Sequence, residues 1–259
     1  MISISSAELN ALLAAFLWPL ARILALIMSA PVLSNPALPL RVRVALALLI
    51  TAIVAPTLGP PPAIDPGSLL GLLILAQQIV IGVALGFAIR IVFVAVEMAG
   101  ELAGLQMGLG FAVFFDPQNA GQSPVVGQFL EIVAILAFLS MDGHLQMIYL
   151  LSGSFTALPV AAATLEAPTF FMLVEWGAEI FRVGVLLALP LLASLLIANL
   201  ALGVLTRAAP QLNLFAVGFP LTLALGLLML GLVLPFLTPA LTRLFENGLG
   251  AMARLGGPL

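Results

Sequence analysis

The chain has 259 residues, 63 % of them apolar and only 7 % charged; its 8 basic residues are all arginine, 11 are acidic, and the formal net charge is -3. Soluble domains carry about 25 % charged residues, so this composition, with a mean hydropathy of +1.28, excludes an ordinary soluble enzyme and places most of the chain in helices surrounded by lipid or apolar protein. The lack of cysteine excludes disulfides and thiolate metal sites, the single histidine, His144, excludes a multi-histidine site, and the absence of basic clusters argues against nucleic acid as partner.

The length accommodates about six spans of roughly 20 residues each, which predicts an all-α, polytopic membrane protein with six long, kinked helices. Met1–Asn10 has no basic stretch ahead of the first apolar run, so the first span is expected to be retained. That span runs from Leu9 to Ala30 and contains Trp18, Pro19 and Arg22, with Ser5 or Ser6 as cap and Glu8 favourably placed for the helix dipole. A proline-rich turn, Pro31–Pro39, leads past Arg41 and Arg43 into a second segment, Val42–Ala55. Pro56–Pro66 is a rigid turn. The third segment starts at Ser68 and reaches at least Val96, too long for one perpendicular crossing.

From Glu97 to Pro124 the pattern becomes glycine-rich and then breaks at Asp116-Pro117. Val125–Met141 forms the fourth segment, able to continue past Asp142-Gly143 to Leu151, and a Ser/Thr/Ala/Pro connection covers Ser152–Pro168. The fifth segment, Phe170–Leu205, has a kink expected at Pro190. Arg207–Asn213 is a short polar turn, Leu214–Leu237 is the sixth segment, and 240–259 reads as a weakly amphipathic tail. The whole chain, 1–259, reads as one membrane domain. Placing Arg41, Arg43, Arg90 and Arg207 on the cytoplasmic side puts both termini outside, although Arg243 and Arg254 then violate the rule.

Few polar residues remain to carry function. Gly82 and Gly86, and Gly100, Gly104 and Gly108, recur at four-residue spacing and permit close helix approach, within the chain or with a partner subunit. Glu97 and Glu101 share one helix face, as do Glu175 and Glu179, where Arg182 supplies a countercharge. Arg22, Arg90 and Glu131 lie in or beside apolar runs and should face protein, a polar cavity or headgroups. These charges suit structural pairing between helices or subunits, with a proton or ion relay as the alternative. His144 suits a turn. The 104–124 stretch, in which Met107, Gly108, Gly110, Phe111, Phe114, Phe115, Asp116 and Pro117 combine bulk with a pliable backbone, is the best working element, because such a loop is tolerable only where it lines or obstructs a cavity. Three functions compete on these residues alone: a protein-conducting gate subunit, a small-solute or ion transporter using the buried carboxylates, and an intramembrane enzyme using His144. No hydrolase, phosphate-loop or paired-cysteine signature occurs.

FLWPLARILALIMSAPVLSN at 16–35, LPLRVRVALALLI at 38–50, GLQMGLGFAVFFDP at 104–117, DGH at 142–144 and RAAPQLNLFAVGFPL at 207–221 resemble the FliR/SctT family of type III export-gate subunits over essentially the whole length. The resemblance implies a non-enzymatic subunit without cofactor, present in one copy with FliP and FliQ homologues in a helical assembly of the bacterial inner membrane at the flagellar basal body. It implies a fold like a fusion of FliP-like and FliQ-like elements, part of it lifted toward the periplasm. FlhB and FlhA homologues and unfolded export substrates would be further partners. The glycine-rich loop would plug the pore, and Arg207, Pro210, Gln211 and Asn213 would form a structural turn. The corresponding injectisome subunit is the alternative within the family.

Overall fold

The computed structural model describes residues 6–60, 62, 64–110, 125–161, 167–209 and 214–256. Among them there is no strand, and the helices are α1 (Ser6–Ser29), α2 (Leu40–Val54) with a 3-10 turn at Ala55–Thr57, α3 (Leu69–Gln106), α4 (Val125–Ser140), α5 (Gly143–Ala157), α6 (Ala167–Gly177), α7 (Glu179–Ala208) and α8 (Leu214–Leu255). Five described helical stretches are long and apolar enough to cross a membrane, or six if the broken α4–α5 pair counts as one span. That agrees with the six-segment expectation.

Several boundaries differ from those read in the sequence. At 38 residues α3 is roughly 57 Å long and includes Glu97 and Glu101, because glycine in an apolar, packed helix costs too little to end it. α5 continues to Ala157 through residues expected to be connection, and the fifth segment is divided at Ala178 into α6 and α7. α7 stays helical through Pro190. The supposed tail continues α8 to Leu255, with Leu241, Phe245, Leu249 and Met252 buried. Their spacing of four, four and three puts them on one helix face.

The chain forms two compact units: residues 1–91, 142–177 and 245–259, and residues 92–141 and 178–244. In the first unit, the indole N–H of Trp18 donates to the carbonyl of Gly71 at 3.3 Å, and that of Trp176 donates to Ala88 at 2.8 Å. Gly82 and Gly86 lie against α1, where an added Cβ would run into the Arg22 carbonyl and the Ser29 hydroxyl respectively. The small-residue spacing thus serves packing within the chain. In the second unit, α3 and α4 cross backbone to backbone at Gly100 and Gly127, where a Cβ on Gly100 would come 2.5 Å from the Gly127 Cα. Phe93 and Phe138 meet edge to face at 5.5 Å between centroids nearby on the same two helices. Among the five described span candidates α3 has the most buried apolar window, 61 % against 11 % for α2.

Candidate functional site

Among the described residues, Arg22 is the charged residue buried completely. It lies in the C-terminal half of α1, and its guanidinium donates from Nε to Gln78 Oε1 on α3 at 2.8 Å. Nη1 donates to the carbonyl and the hydroxyl of Ser154 at 2.9 and 3.1 Å, and Nη2 to the carbonyl of Leu158 at 2.8 Å. The ring of Phe155 lies 4.2 Å from the guanidinium carbon. No described carboxylate pairs with this cation. None is needed: Ser154 and Leu158 close the C-terminal turn of α5, where unsatisfied carbonyls and the negative end of the helix dipole favour a cation. The planar fork of arginine spans acceptors on two helices, which the point charge of lysine could not do. The sequence reading placed Arg22 against protein but did not identify Gln78, Ser154 or Phe155. The signal available was polarity alone, Gln78 and Ser154 being isolated polar residues in apolar runs.

In the second unit the acidic pair flanks the α3–α4 crossing. Glu97 and Glu101 are half-buried, and a Cβ on Gly127 would lie 3.2 Å from the Glu97 carbonyl, 3.5 Å from Glu101 Cγ and 3.6 Å from Glu97 Cγ. The carboxylate stems therefore pack on the glycine that permits the crossing, and Glu131 follows one turn later on α4, half-buried as well. α3 ends at Gln106, and Gly108 adopts a φ of 86°, a left-handed conformation open to glycine. The three-glycine face expected at 100, 104 and 108 is therefore interrupted after Gly104. Met107 is fully buried, its carbonyl accepting from Thr222 at 3.4 Å.

The remaining predicted residues are dispersed. Arg90 is exposed on α3 and Glu175 exposed on α6. Glu179 and Arg182 make an exposed ion pair of 2.8 Å on the first turn of α7, a geometry worth about 0–1 kcal/mol. Arg207 is exposed at the end of α7, and Gly110 is half-buried. Phe111, Phe114, Phe115, Asp116 and Pro117 of the loop, and Pro210, Gln211 and Asn213 of the turn, lie outside the described residues. His144 opens α5 after Asp142, whose φ of 55° turns the chain; its Nδ1 is buried with no described partner. Among the described residues no cluster could hold a metal ion.

The profile of the bacterial export proteins, family 1, matches residues 13–248. The flagellar biosynthetic protein FliR of Pectobacterium carotovorum subsp. carotovorum is 47 % identical over 247 residues, covering 95 % of this chain and 94 % of that protein. The FliR protein of Escherichia coli (strain K12) is 42 % identical over the same coverage, and that of Bacillus subtilis (strain 168) is 30 % identical over 222 residues, covering 83 % of this chain and 84 % of that protein. A helical, apolar architecture matched from near its first helix to the last turns of α8 leaves one assignment: the chain belongs to the bacterial export proteins, family 1.

Proposed function

We propose that the chain is a non-enzymatic core subunit of the flagellar type III protein export gate, helping to form the closed portal through which unfolded rod, hook and filament proteins cross the bacterial inner membrane. The observation that carries this reading is the near full-length match to flagellar FliR proteins of distantly related bacteria; it also favours the flagellar over the injectisome assignment. FliP and FliQ homologues are the direct partners, with one copy of this chain in the assembly, and FlhB and FlhA homologues join them at the flagellar basal body. In that setting the over-long α3 and α8 and the fully buried Arg22 are features of a chain embedded mainly in protein, part of it raised toward the periplasm. The stretch 104–124 obstructs the closed pore, and the 207–213 turn seats a partner.

Extraction in mild detergent tests the assignment. A gate subunit copurifies at fixed stoichiometry with two other small apolar proteins, whereas a solute transporter comes out alone or as a symmetric oligomer. In the assembled complex, deleting residues 108–115 is expected to raise ion leakage across the membrane. Unchanged conductance with intact assembly would refute the plug.

A further inference from the structure

We propose that Met107, Thr222 and Gly226 form a socket that holds the C-terminal end of α3 on α8 and sets the resting position of the segment that begins at Gly108. The inference deepens the gate reading and rests on it. Met107 is the first residue beyond α3, where a side chain would ordinarily be free to sample solvent or lipid, yet it is 0 % exposed. It fills a notch on α8 that exists because residue 226 is glycine: a Cβ there would collide with Met107 Cγ and come within 2.8 Å of Sδ and Cε. The unbranched thioether suits such an irregular gap.

Thr222, one turn earlier on the same face of α8, adds a main-chain contact. Its hydroxyl lies 3.4 Å from the Met107 carbonyl and 3.0 Å from that of Phe219, so one proton is shared between them. The Met107 carbonyl is among those an α-helix leaves unpaired at its C-terminus, and Thr222 supplies a donor for it. Gly108, at a φ of 86°, then turns the chain away at once. Side chain and main chain are thus both fixed at the one residue through which α3 hands over to the following segment. Pro220 lies inside α8 two residues before Thr222. It removes one backbone hydrogen bond there, as Pro235 and Pro239 do further along α8.

The test uses the complete complex with its partner subunits, reconstituted in vesicles. Gly226→Ala expels Met107 from the notch; the expected result is complex yield within about twofold of the parent and ion leak raised about tenfold. Adding Met107→Ala, which removes the Cγ, Sδ and Cε atoms that the new methyl would meet, should bring the leak back toward the parental value. Full assembly of Gly226→Ala with parental leak would overturn the socket, as would failure of the second substitution to lower the leak. Should Gly226→Ala not assemble, Thr222→Val removes only the hydroxyl contact and decides the matter: raised leak supports the socket and parental leak overturns it. The 108–115 deletion separates the two levels. Leak in the deletion but not in Gly226→Ala overturns the socket alone, and leak in neither overturns the plug on which it rests.

Discussion

Replacing Arg22 by leucine removes the cation that joins α1, α3 and α5, and the partners left behind set the cost. The Ser154 carbonyl still accepts from the Leu158 N–H at 2.9 Å, and the Ser154 hydroxyl still donates to the Leu151 carbonyl at 2.7 Å, so neither is orphaned. Gln78 is different. It is fully buried, its Nε2 already has no described acceptor, and its Oε1 would lose the Arg22 bond. An unsatisfied buried acceptor costs about 1–3 kcal/mol, the part-buried Leu158 carbonyl adds about 1 kcal/mol, and loss of the contact with Phe155 adds about 1–2 kcal/mol. The expected destabilisation is therefore about 3–6 kcal/mol, read as a melting temperature lowered by roughly 6–24 °C in detergent-purified protein followed by helical circular dichroism. Arg22→Lys should fall between, since it keeps the charge and loses the fork. Adding Gln78→Leu to Arg22→Leu should recover about 1–2 kcal/mol by removing the stranded amide. Melting of Arg22→Leu within about 2 °C of the parent, or a double variant no better than the single, would refute the reasoning.

Glycine substitutions should divide by what the new methyl meets. Gly100→Ala forces α3 and α4 apart at their crossing and should cost about 1–3 kcal/mol, whereas Gly203→Ala meets nothing within 4 Å and should be neutral or stabilising by up to about 1 kcal/mol; thermal melting of both variants checks the contrast. Glutamine at 97 and 101 preserves the stems packed on Gly127 and should leave copurified complex within about twofold of the parent with export continuing. Full assembly with export abolished, and restored only by a titratable group, would establish a proton relay instead.

Helix existence was legible because apolar runs bounded by proline leave little alternative: Pro39 precedes α2 and the Pro56–Pro66 stretch separates it from α3. Where helices ended was less so. Glycines at 100 and 104 suggested a change of structure after Glu97, yet the α3–α4 crossing consumes that smallness as packing and the helix runs on to Gln106. The division of the fifth segment at Ala178 is marked in the sequence by Gly177 alone, and a single glycine within an apolar run does not announce a break. The candidate site was legible only in part. Arg22 stood out because an arginine among leucines demands acceptors, but pairing it with Gln78 and with the end of α5 depends on separations of 56, 132 and 136 residues, which no local pattern encodes. The Met107 socket was invisible for the same reason, Thr222 and Gly226 being ordinary residues until the fold brings α8 to the end of α3.

The long-range bonding of Arg22 also bears on how the chain is made. α1 emerges from the ribosome long before the residues that will satisfy its guanidinium: Gln78 follows by 56 positions and Leu158 by 136. At about 5–20 residues per second, roughly 7–27 s pass before the last acceptor exists. An arginine at the centre of a lone membrane helix costs about 2.5–3.5 kcal/mol during that interval, which disfavours leaving α1 alone in lipid. The bond that later secures the fold is thus absent throughout the earliest stage of synthesis, when the guanidinium has neither Gln78 nor the end of α5 to donate to.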